Sequence, residues 1–78
     1  MSFKDIFFDK ESFRKDIKYK RVIELEISMD VCCQQIGISK PTLARLEQGS
    51  VPDLFTFFKV LNWLEKDSKE YIKTNTKL

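Results

Sequence analysis

The sequence predicts an all-α fold, a compact bundle of about five short helices with an aromatic extension at the N-terminus. Three observations carry this prediction. Apolar residues recur at spacings of three and four along successive segments, a tight Gly37-Ile38-Ser39 corner separates two of them, and the stretch from Leu54 to Leu64 is dense in apolar side chains. The 78 residues suffice for one domain around one core. Its expected organisation is an extension over 1–12, a folded domain over 13–73 and a frayed tail over 74–78.

In the opening MSFKDIFFD, Ser2 and Asp5 stand at capping-box spacing, and Phe3, Ile6 and Phe7 can share one helical face. A short helix folded back over the core is the plainer expectation; a dimer contact is the alternative, because so much aromatic surface needs covering. Asp9 can cap the first long helix, which runs to about Leu25, with Phe13, Ile17, Lys20 or Arg21, and Glu24 marking successive turns. Lys15, Lys18, Lys20 and Arg21 cluster on it.

The next helix turns Met29, Cys32, Cys33 and Ile36 inward, while Asp30, Gln34 and Gln35 fall elsewhere. Gly37 can take the left-handed conformation that ends a helix, Ser39 can cap the following one, and Pro41 falls in its first turn, where no intrahelical donor is needed. Ile38, apolar inside a turn, reads as a plug that holds the two helices at a steep angle, the geometry of a helix-turn-helix corner. Beyond it, Leu43 and Leu46 face inward. Lys40, Pro41, Ala44, Arg45 and Gln48 face outward with Thr42 at the side, a surface with two cations and no carboxylate that suits a polyanion.

Gly49, Ser50, Val51 and Pro52 break the chain, and Asp53 opens a fourth helix. There Leu54, Phe57, Phe58, Leu61 and Leu64 make one stripe, while Phe55, Val60 and Trp63 spill onto other faces. A helix apolar nearly all round is covered on more than one side, by a second copy of the chain or by the N-terminal aromatic segment. Asp67 or Ser68 can cap a last helix with Tyr71 and Ile72 packed inward, before a polar tail from Lys73.

Ile27-Ser28, Cys33, Gly37-Ile38-Ser39, Thr42-Leu43, Arg45-Leu46-Glu47 and Gly49, continued by Pro52-Asp53-Leu54, Phe57-Phe58-Lys59, Leu61 and Leu64, resemble the lambda-repressor-like, or Cro/XRE-type, helix-turn-helix family. The resemblance runs from about Ile17 to Tyr71. It implies a DNA-binding domain whose second helix crosses the phosphate backbone and whose third enters the major groove. It also implies that Glu47 pairs with a basic residue of the first helix. Arg21 is the candidate, one residue ahead of the family's usual place, which Val22 occupies here. Three further departures are Met29 where the family usually has a phosphate-binding Gln, Cys33 in place of Ala at the helix crossing, and Val31 in place of a polar residue.

In such a docking, Lys40, Pro41, Thr42, Ala44 and Arg45 are the expected base contacts. Arg45 leads, because its planar fork matches the two acceptors of guanine. Ser28, Met29, Ser39, Gln48, Lys18 and Arg21 are the expected phosphate contacts, and Phe55, Trp63, Phe3 and Phe7 the candidate dimer surface. One helix reads few base pairs, so a homodimer on inverted half-sites is expected, acting as a repressor in a bacterial or phage setting. The alternative is an antitoxin or other protein-interaction module that uses the aromatic fourth helix on a partner such as a toxin.

Composition narrows the remaining classes. Lys and Arg exceed the acids only by 14 to 12, so the case for DNA rests on where charges lie. No His is present and the two Cys are adjacent, which removes the usual zinc spacings and a disulfide framework and implies a reducing cytosol. Neither a membrane-spanning run nor a signal-peptide pattern is found, so a cytoplasmic protein is expected. No catalytic constellation and no cofactor-binding motif emerges. Cys32 and Cys33 read as core packing before they read as an oxidation sensor.

Overall fold

In the computed structural model, which describes residues 6–74, the chain runs β1 (Ile6–Phe8), α1 (Lys10–Tyr19), a π-helical turn (Lys20–Glu24), α2 (Met29–Ile36), α3 (Lys40–Glu47), α4 (Leu54–Leu64), a 3₁₀ turn (Ser68–Glu70) and β2 (Ile72–Thr74). Each helix starts at a side chain able to accept from its otherwise unpaired first amides. Asp9 accepts from the Ser12 amide at 3.1 Å and the Ser12 hydroxyl at 2.8 Å. Ser28 caps Val31, Ser39 caps Thr42, Asp53 caps Thr56, and Asp67 accepts from the Lys69 amide. Gly37 closes α2 at φ +90°, and both its amide and that of Ile38 donate to the Cys33 carbonyl.

The helices enclose Phe13 and Ile17 of α1, Cys32, Cys33 and Ile36 of α2, Leu43 and Leu46 of α3, Phe57, Val60, Leu61 and Leu64 of α4, and Tyr71. Ile38 packs against this core, as its place in the corner predicts. Phe8, Phe13, Phe57 and Tyr71 form one aromatic cluster with ring centroids 5.0 to 5.5 Å apart, a spacing at which edge-to-face contact adds to the burial of area.

The two ends depart from an all-α reading. Instead of a helix, Ile6–Phe8 forms a strand antiparallel to Ile72–Thr74, with Phe7 opposite Lys73. Aromatic and β-branched side chains suit a pleated, half-buried edge. Phe8 can then point into the core while Phe7 stays exposed. The Ser2, Phe3 and Asp5 part of the expected helix lies outside the described residues. The expected last helix is a single 3₁₀ turn: Tyr71 is buried, but Ile72 is exposed and enters β2, as do Lys73 and Thr74, which were expected in the tail. Three bonds tie this closure down: the Asp9 amide to the Tyr71 carbonyl at 2.7 Å, the Tyr71 hydroxyl to Asp16 at 2.6 Å, and Lys73 to Asp9 at 2.9 Å.

The buried stripe of α4 is also rotated from the expected one. Val60 is fully enclosed, whereas Leu54 and Phe58 stand exposed. Among the described residues no helix is long and apolar enough to cross a membrane.

Two stability effects follow. Glu65 ends α4 in the left-handed region at φ +59°, where a Cβ is unfavourable, so Glu65→Gly should raise stability by about 0.5 to 1 kcal/mol in urea denaturation. The Lys73 ammonium, with the hydroxyl and amide of Ser12, holds the Asp9 carboxyl at about 2. A depressed carboxyl contributes stability above its unfolded value that is lost as pH falls toward the folded one. Thermal melts of Asp9→Asn should therefore decline less steeply than wild type between about pH 4 and pH 2.

Candidate nucleic-acid interface

The α2–α3 corner is held from three sides. On the first, Arg21 forms a two-pronged bond to Glu47, Nε to Oε2 at 2.6 Å and the second guanidinium nitrogen to Oε1 at 2.8 Å, which fastens the π-helical turn that continues α1 to the end of α3. Both side chains are nearly buried, 15% and 9% exposed. Each raises the stakes for the other, and Glu47 pushes the Arg21 pKa up.

Arg21 lies within the π-helical turn that continues α1. There the Leu25 amide donates to the Lys20 carbonyl five residues back, at 2.9 Å, which accommodates one residue more than an α-turn.

On the second side, the Lys59 ammonium of α4 donates to the Gly37 carbonyl at 3.1 Å, covering an orphan acceptor at the C-terminus of α2. On the third, the Trp63 indole donates to Gln35 at 3.0 Å, while Lys20 lies 4.9 Å over its ring and bonds to its carbonyl. Sequence reasoning missed Lys20 and Lys59 in these roles. Both act on backbone carbonyls, and no residue-type pattern marks such a partner.

On the corner so held, α3 presents Lys40, Pro41, Arg45 and Gln48 as exposed side chains, with Thr42 and Ala44 partly buried beside them. Arg45 enters no ion pair among the described residues. It lines a cleft of about 160 Å³ with Thr42, Ser50, Asp53 and Thr56, between α3 and the start of α4. The Thr42 and Ser39 hydroxyls lie 2.7 Å apart, and Ser28 remains exposed at the start of α2.

Several expected contacts are corrected. The outward face is not free of carboxylate, because Asp30 of α2 pairs with Lys40 at 3.1 Å. Both groups are more than half exposed, so the pair is worth at most about 1 kcal/mol and can give way to a phosphate. Arg21 is committed to Glu47 and is withdrawn from the phosphate contacts. Met29 packs against the core and offers only its backbone. Lys18 stands exposed on α1 around a groove with Arg14, Lys15, Tyr19, Val22 and Ile23.

Trp63 is engaged inside the fold, so of the four dimer candidates Phe55 and Phe7 remain exposed, and Phe3 lies outside the described residues. Burial pushes the Cys32 thiol up to about 11, which disfavours the thiolate at this position at neutral pH.

Comparison with protein-family models, with curated proteins and with solved structures finds no match for this chain. The geometry of the corner therefore carries the functional argument.

Removing one partner of a nearly buried pair strands the other. Glu47→Ala should cost about 3 kcal/mol in urea denaturation, and the double variant Arg21→Met, Glu47→Leu should recover most of that loss.

Proposed function

We propose that this chain is a sequence-specific DNA-binding regulator that reads the major groove through α3. The observation that carries the reading is Arg45: a guanidinium without an ion-pair partner among the described residues, exposed on a short helix whose opposite side is locked by Leu43, Leu46 and the Arg21–Glu47 pair. A rigidly presented guanidinium is suited to base recognition, because both prongs must meet the O6 and N7 acceptors of guanine together. A good match contributes ~1 to 3 kcal/mol of discrimination. Lys40 then exchanges Asp30 for a phosphate or a base edge, Pro41 and Ala44 offer apolar contact to a thymine methyl, and Thr42 lies within reach of the backbone.

The amides and hydroxyls at the starts of α2 and α3, with Ser28, Ser39 and Gln48, anchor the phosphates. Two copies on inverted half-sites ~34 to 36 Å apart give a usable length of recognition sequence. Occupancy of such an operator blocks transcription, so repression is the proposed outcome. Nothing in this mechanism calls for catalysis or a cofactor.

A second reading, a protein-interaction module such as an antitoxin, is favoured by one observation, the exposed Phe55 and Phe58 on α4.

Selection of bound sequences from random duplex DNA tests the proposal. Wild type should enrich an inverted repeat that survives physiological salt. Arg45→Glu should lose that enrichment and bind the selected site roughly 100-fold more weakly or worse. Lys40→Ala should weaken binding across sequences and flatten the salt dependence by about one unit per copy. Binding that ignores sequence and vanishes as salt rises would sink the reading.

A further inference from the structure

We infer that the exposed face of α1 and of the π-helical turn that continues it docks a short amphipathic segment of another protein, one with carboxylates at one end and large apolar side chains at the other. Two rows at a spacing of four run side by side on this face, Arg14–Lys18–Val22 and Lys15–Tyr19–Ile23. Together these six side chains line one groove of about 290 Å³.

The chemistry changes along the groove. Its first half is cationic: Lys15 and Lys18 are exposed and enter no ion pair among the described residues, and Arg14 pairs at 2.6 Å only with Glu11, one turn away and itself exposed. Its second half is apolar, with Tyr19, Val22 and Ile23 56%, 40% and 59% exposed. No carboxylate lines it.

The core does not use these side chains, yet the fold fixes the backbone that carries them. Phe13 and Ile17 supply the share of α1 in the core. Lys20 and Arg21, which follow Tyr19 and precede Val22, are fastened to the Trp63 carbonyl of α4 and to Glu47 of α3. A partner therefore meets an apolar end that is already organised, and spends little on ordering it.

Charge complementarity selects the occupant. Covering Tyr19, Val22 and Ile23 is favourable for any apolar partner, but the cations beside them favour one that brings carboxylates and reject one that is basic. Arg14 can exchange Glu11 for such a carboxylate, since an exposed pair is weak. A polynucleotide would meet the cationic end and leave Val22 and Ile23 uncovered. A bilayer surface suits a helix whose apolar and basic faces run parallel along its whole length; here the two follow one another along the axis. From Arg14 to Ile23 the groove extends roughly 14 Å, about two and a half turns, which is the reach of a short helix laid alongside. This surface is separate from the exposed side chains of α3, so the inference is independent of the DNA-binding reading.

Selection from a displayed library of random peptides about 16 residues long, enough for four helical turns, tests this with the full chain as bait. Peptides that also bind the triple variant Lys15→Glu, Lys18→Glu, Ile23→Ser are discarded first. The remainder should combine two or more carboxylates with large apolar residues at helical spacing. In fluorescence anisotropy with a labelled selected peptide, Lys18→Glu and Ile23→Ser should each weaken binding at least about 10-fold with unchanged helical circular dichroism, and Phe55→Ser on α4 should leave it unchanged. Raising the salt from about 50 to about 300 mM should weaken binding several-fold.

In the unsubstituted chain, amide NMR shifts on adding the peptide should centre on Arg14 to Ile23, a reading that depends on no variant. No enriched peptide, enriched peptides without carboxylates or without apolar residues, shifts centred on another face, or capture of phosphatidylserine vesicles or duplex DNA through Lys15 and Lys18 in place of any peptide would each overturn the inference.

Discussion

The bond from Arg21 to Glu47 joins the first helix to the third, and the other features of the corner make sense around it. An eight-residue helix such as α3 has too few internal hydrogen bonds to hold itself in water, so its orientation must come from tertiary contacts. Leu43 and Leu46 supply the apolar part, but apolar contact alone tolerates rotation of a short helix about its axis. A two-pronged guanidinium–carboxylate bond does not, because both oxygens must stay in the plane of the fork. Glu47 is therefore what keeps Arg45 on the open side. Arg21 stands in the π-helical turn that continues α1, so this turn is the part of the first helix that Glu47 holds.

A small domain has little apolar surface to bury, and closing its ends matters in proportion. Here the short two-stranded sheet lays Phe8 over Phe13 and Phe57, and the chain beyond α4 brings Tyr71 under the same cluster. The Tyr71 hydroxyl finds Asp16, so this large side chain is enclosed without leaving a polar atom unsatisfied. Sheet and helices thus share one core, and the strands act as a clasp on the helical bundle.

What could be read from the residues divides along a physical line. Caps and stops are local, and Asp9, Ser39, Asp53, Asp67 and Gly37 all act where their neighbours place them. Strand pairing between Ile6–Phe8 and Ile72–Thr74 is not local, and three residues of each strand are too few to show an alternation. In α4 nearly every position is apolar, so periodicity cannot choose among faces. Only the neighbours decide that Val60 goes in and Phe58 stays out. The exposed side of α3 was legible because its polar and apolar residues segregate. The pairing of Lys40 with Asp30 was not, since it joins two helices across a corner.

A net excess of two positive charges is a weak field for attracting a polyanion, which makes local arrangement decisive. In the proposed DNA-binding role, Asp30 lowers the potential around Lys40 until a phosphate replaces it, so part of the Lys40 contact is spent on breaking an existing pair. On that proposed reading non-specific attraction is kept low, while the directional bonds of a matched Arg45 remain undiminished, and discrimination comes from geometry more than from charge.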